Sequence, residues 1–121
     1  MITDGMVEKA RDLGRLIGQS DEYKALERAR ERFAADKEAV ERVNMLAQLE
    51  SQIAQALQRD EEPTEAAREE YEQAFSKLQS NAAYQGMVAA QSNFDRILGK
   101  VNEEISKGVE TGSQSRIILP G

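Results

Sequence analysis

The chain has 121 residues with 16 basic and 22 acidic side chains, a net charge of −6, and neither cysteine nor histidine. Those absences remove disulfides, thiolate metal sites, thiol nucleophiles, the commonest general base and the commonest zinc ligand together. The acidic balance also argues against a dedicated nucleic-acid binder, which gathers Lys and Arg on one face.

The length suits one domain that buries roughly two-thirds of its unfolded surface. Three Tyr, three Phe and no Trp give it little aromatic bulk. Its modest core implies that subunit association supplies part of the stability. No stretch approaches the ~20 apolar residues of a membrane span, and no signal-peptide pattern opens the chain, so a soluble cytoplasmic protein is expected.

Met6, Val7, Ala10, Leu13, Leu16 and Ile17 recur at helical spacing behind Asp4, read as a cap. Gly18 is expected to close this short helix in a left-handed conformation, and the Leu13/Leu16/Ile17 end should pack. Ser20 caps a second helix whose first turn carries Asp21 and Glu22, where the helix dipole favours acid. Its narrow apolar face is Tyr23, Leu26, Ala29 and Phe33. Lys24, Arg28 and Arg32 fall at i, i+4, i+8 on another face, interleaved with Glu27 and Glu31. That stripe reads either as a salt-bridged, solvated face or as a contact for RNA or phosphate.

Asp36 caps a third helix, expected from Lys37 to about Arg59, with an apolar stripe that narrows to Leu46, Leu49, Ile53 and Ala56. Gln48, Gln52, Gln55 and Gln58 flank that seam, where coiled coils place partner-selecting Glu and Lys, so a homotypic or adaptable interface is allowed. Asp60-Glu61-Glu62-Pro63-Thr64 interrupts the pattern, and Pro63 suits the first turn of a fourth helix, about Pro63 to Gln79. The short connection makes helices three and four an antiparallel hairpin.

Ser80-Asn81 offers a cap for a final helix over Ala82–Val109, along which Met87, Phe94, Leu98, Val101 and Ile105 form a seam with Gln91 filling the missing step. Tyr84-x-x-Met87 followed by Phe94 echoes Tyr23-x-x-Leu26 followed by Phe33, which suggests that the two helices pack in similar ways. Beyond Lys107-Gly108, the run Thr111-Gly112-Ser113-Gln114-Ser115 is linker-like. Arg116, Ile117, Ile118 and Leu119 then form an apolar end that folds back, stays loose or docks on a partner.

The fold class is therefore all-α, an antiparallel helical bundle with two long helices and a coiled-coil-like interface. The bundle is assigned to residues 1–110 and a flexible tail with an apolar end to 111–121. Leu46, Leu49 and Ile53 with Phe94, Leu98, Val101 and Ile105 are expected to form the core and the interface of a dimer or tetramer. No carboxylate pair falls on an apolar face, and phosphate loops, nucleophile elbows and EF-hand loops are missing, so no catalytic, cofactor or metal residue is assigned.

The helix order, the starts Ser20-Asp21-Glu22-Tyr23-Lys24-Ala25-Leu26 and Asn81-Ala82-Ala83-Tyr84-Gln85-Gly86-Met87, and the acidic Pro63 turn resemble the YlbF/YmcA family of small bacterial helical regulators over roughly residues 4–108. The resemblance implies an all-helical protein that self-associates or pairs with relatives. The family is associated with complexes that influence competence, sporulation and biofilm formation and that work with an endoribonuclease on messenger RNA. Iron–sulfur clusters in such complexes are held by cysteines, which this chain lacks. The expected function is a non-enzymatic oligomeric adaptor that engages a protein partner, the alternative being an accessory factor in RNA processing that uses the basic stripe.

Overall fold

A computed structural model describes residues 1–118, with side chains through Gln114. It contains five helices, α1 (Asp4–Gly18), α2 (Asp21–Ala35), α3 (Lys37–Gln58), α4 (Glu65–Gln79) and α5 (Ala82–Ile118), and no strand among the described residues. The expected all-α class holds.

All five helices begin where a side-chain oxygen accepts an otherwise orphaned N–H of the first turn. Ser20 Oγ takes the Tyr23 amide at 3.1 Å, Asp36 Oδ1 the Ala39 amide at 3.0 Å, Thr64 Oγ1 the Ala67 amide at 3.1 Å and Asn81 Oδ1 the Tyr84 amide at 2.9 Å. The cap of α1 is Thr3, which accepts from Met6, and Asp4 is the first helical residue. Pro63 likewise lies outside α4, because Thr64 holds the cap position that follows it.

Two helix ends depart from expectation. Gly18 is not left-handed: α1 ends through Gln19 in a right-handed last turn, and the Ser20 hydroxyl donates back to the Ile17 carbonyl at 2.6 Å. The one left-handed non-glycine residue among those described is Asp60, with φ of 54°, and no glycine among them has positive φ. The Asp60 amide reaches the Leu57 carbonyl and the Glu61 amide the Ala56 carbonyl, a Schellman closure with aspartate where glycine is usual.

Packing divides into two antiparallel pairs, α2 against α5 and α3 against α4. As α2 advances from Tyr23 to Phe33, its ring partner on α5 retreats from Phe94 to Tyr84, with centroids 5.3 and 6.2 Å apart. The echoed aromatic residues therefore meet each other across a local two-fold relation between the helices. Gln91, the polar step in the α5 seam, accepts a hydrogen bond from Arg30 at 3.1 Å and donates to Asp95 at 2.9 Å.

In the α3–α4 hairpin Leu46, Ala74 and Leu78 form a buried cluster with Phe33, Tyr71 and Tyr84 packed against it. The Tyr71 hydroxyl donates to Glu50 at 3.2 Å, which raises the phenol's pKa because the neutral form makes the bond. The two pairs join where α2 breaks into α3 and α4 into α5. There the Asn81 amide donates to the Asp36 carboxylate at 3.4 Å, so the caps of α3 and α5 hold one another.

The last helix runs further than Val109. Thr111 to Ile118 continue α5 rather than forming a linker, no proline interrupts the helix, and the Thr111 hydroxyl donates back to the Lys107 carbonyl at 2.9 Å. The side chains of Arg116, Ile117 and Ile118, and all of Leu119, lie outside the described residues, and with them the choice between an end that folds back, stays loose or docks.

Candidate functional site

The residues expected to form one core and interface fall on two separate surfaces. Leu46 and Leu49 are buried in the α3–α4 hairpin and Ile53 is half-buried further along it. Phe94 is half-buried against Tyr23 of α2. Leu98 and Val101 are also half-buried, while Ile105 is 49% exposed.

The difference follows from helix length. Antiparallel pairing uses α2, a helix of 15 residues, to cover α5 only to about Arg96, whereas α5 has 37 residues. The seam of α5 continues to Ile105 and Val109, the latter 67% exposed, without a second long helix over it. Only α1 approaches. It buries no residue, Leu13 and Ile17 are half-buried, and Leu16, expected to pack, is 66% exposed.

Between α1 and α5 this leaves an open cleft of about 480 Å³ lined by Leu13, Ile97, Lys100, Val101, Glu104 and Ile105. Its walls are apolar apart from Lys100 and Glu104, one turn apart on α5. Glu104 carries an exposed ion pair to Lys107 at 3.1 Å. Ile97 follows Phe94 by three residues and was legible as a seam position, but the step of four to Leu98 drew the seam past it. Lys100 and Glu104 carry no apolar signal, and only the approach of Leu13 marks them as cleft residues.

Lys24, Arg28 and Arg32 are all exposed on α2. None of the three enters an ion pair among the described residues, where the pairs are Asp12–Arg15 and Glu104–Lys107. Arg28 borders a shallow groove between α2 and α5 that Asp21 and Glu22 also line from the same helix, so its surroundings are mixed in sign. Arg32 acts on Asp36, the carboxyl of which is held below its ordinary value first by the Ala39 amide and also by the Asn81 side chain. A third groove, between α3 and α4, is mixed, with Met45, Leu49 and Ala74 on its floor and Arg42, Gln48, Gln52, Glu70, Gln73 and Lys77 around them. Among the described residues no group of three or more Asp and Glu is placed to hold a metal ion, and no helix is long and apolar enough to cross a membrane.

Residues 6–110 match the family described as control of competence regulator ComK, YlbF/YmcA. The chain belongs to the YlbF/YmcA family. The matched span takes in α1 through most of α5, including every residue that lines the α1–α5 cleft. The family is a regulatory one rather than a known enzyme family. No curated protein matches the chain.

Proposed function

We propose that this YlbF/YmcA protein is a non-enzymatic adaptor that self-associates through the α1–α5 cleft and regulates by contact with other proteins in the cytoplasm, within the competence-control setting its family describes. The observation that carries this reading is the exposed apolar seam of α5 beyond the reach of α2. Water contact along Ile105 and Val109 is unfavourable by about 25 cal/mol per Å² of apolar surface, and a second helix relieves it. The α3–α4 hairpin presents outward a groove in which Met45 and Leu49 lie among Arg42, Gln48, Gln52, Glu70, Gln73 and Lys77, a mixed surface for a different protein. Residues 1–110 act as the body, and the Arg116–Leu119 end offers a further docking element.

Light scattering after size exclusion tests the core of this reading. The intact chain is expected at a multiple of 13.5 kDa, and Ile105→Asp at lower mass, because the substitution would bury an unpaired charge at the subunit contact. A monomeric wild-type chain over the micromolar range overturns it.

A second reading rests on the exposed, unpaired Lys24/Arg28/Arg32 stripe, which suits contact with RNA or a ribonuclease partner. It requires RNA binding that weakens with salt and is lost when all three become Glu.

A further inference from the structure

We infer that the groove between α3 and α4 receives an amphipathic helix of another protein, running parallel to α3, with acidic residues in its first turn and a basic residue in its last. The inference rests on the adaptor reading above and names what the hairpin surface recognises.

Two contacts fix how the groove is laid out. The Tyr71 hydroxyl reaches Glu50, and Leu46 clusters with Ala74 and Leu78. That antiparallel register sets Met45 level with Lys77, Leu49 with Gln73 and Gln52 with Glu70. Among the residues lining the groove, Arg42 and Lys77 therefore share one end and Glu70 lies at the other. None of these three enters an ion pair among the described residues. Arg42 Nε is also the one covered side-chain nitrogen or oxygen among them without a hydrogen-bond partner, whereas buried polar atoms are normally partnered. A carboxylate brought to this end supplies the opposite charge and the acceptor that the guanidinium lacks.

The middle of the groove decides the shape of its occupant. The cavity is open, about 420 Å³ in volume, and Met45, 43% exposed, lies on its floor with the buried Leu49 and Ala74. Gln48, Gln52 and Gln73 flank that floor without favouring either sign of charge. An extended segment would set unpaired backbone N–H and C=O groups against the apolar floor, whereas a helix arrives with its own already bonded. A third helix also packs between two others by setting its ridges into their groove. From Arg42 to Gln52 the site spans about 15 Å, enough to hold about three turns. A helix is most stable with acid in its first turn and base in its last, and matching those to the two ends of the groove gives the parallel direction. The chain's own helices are engaged elsewhere in the fold, α2 on α5, α3 on α4 and α1 beside α5, so the occupant is assigned to another protein.

Fluorescence anisotropy on the intact chain tests this with two labelled, alanine-rich helical peptides of about fourteen residues. Both carry leucines at helical spacing; one has Glu in its first turn and Lys in its last, and the other has these exchanged. The acid-first peptide is expected to bind saturably and roughly tenfold more tightly, since both end contacts change from attractive to repulsive on exchange. Arg42→Glu/Lys77→Glu should abolish that preference, whereas Lys9→Glu/Arg11→Glu, the same change of charge at exposed positions of α1, should preserve it. Met45→Glu should weaken the acid-first peptide at least roughly tenfold. Circular dichroism reports whether each variant keeps its helicity.

Equal binding of the two peptides, a preference that survives at Arg42→Glu/Lys77→Glu, or no saturation below about 1 mM overturns the inference. If light scattering still shows the chain self-associated, the rest of the adaptor reading stands. A fall in mass on Met45→Glu makes the occupant a second copy and overturns its assignment to another protein. A monomeric wild-type chain that still prefers the acid-first peptide overturns the self-association and leaves the groove in place.

Discussion

In the α3–α4 hairpin a helix of 22 residues lies against one of 15, and the larger apolar side chains of the shared seam, Leu46, Leu49 and Leu78, are buried. Along α5, 37 residues lie against the 15 of α2, and beyond Phe94 no large side chain is buried among those described. The two seams have similar spacing in sequence. Their fates differ because a stripe is buried only over the length of the helix that opposes it. The hairpin buries the centre of its seam on itself and leaves Met45, Leu57 and Phe75 at its margins exposed, whereas α5 leaves the continuation of its seam open at Ile105 and Val109.

Removing buried volume breaks this contrast most forcefully. Leu26 is fully buried on α2, and Leu26→Ala is expected to cost about 3 kcal/mol of stability, with Leu78→Ala in the hairpin close behind. Chemical denaturation measures both. Equal losses at Ile105→Ala would erase the distinction, since an exposed residue leaves no comparable cavity.

A smaller effect on folding but a larger one on assembly is expected from Ile105→Asp. Helicity should persist while the mass falls toward that of one chain, read by light scattering. Next in size is Asp60→Gly, which relieves the left-handed aspartate that closes α3 and should stabilise the hairpin by roughly 0.5 kcal/mol without altering mass.

The smallest expected effect is on acid sensitivity. Because the Asp36 carboxyl titrates below the ordinary aspartate value of 3.8, its contribution is complete above that value and is lost as pH falls through the lower folded value. The stability difference between wild type and Asp36→Asn should therefore shrink below pH 3.8 and stay constant above it. A difference that grows on acidification would contradict the cap's charge having this role.

Much of the fold was legible because short polar residues announce helix starts. Ser20, Asp36 and Asn81 each stand one residue before a run with helical period, and all three accept the amide that such a position requires. Thr3 and Asp4 are both competent caps, and spacing alone does not choose between them. Pro63 and Thr64 pose the same ambiguity one position apart. The continuation of α5 was obscured by Gly108, Gly112 and two serines, which read as linker although each is tolerated in a helix at modest cost.

The site was only half legible. Phe94, Leu98, Val101 and Ile105 announce a seam, but which part of it is left open depends on where α2 begins opposite it. That is a pairing register, and local sequence does not encode it. The reciprocal contacts of Tyr23 with Phe94 and Phe33 with Tyr84 show that the faint echo between the two helices did carry that register.

The contact between Asp36 and Asn81 gives the molecule a fulcrum. Both chain crossings between the two helix pairs pass through one polar junction, where each side chain also closes its own helix. From that point α3 extends as a lever of about 33 Å. A rotation of about ten degrees at the junction carries the Asp60 turn through about 6 Å. The angle at two helix caps thus sets where the far end of the hairpin lies relative to α5, with no rearrangement inside either pair.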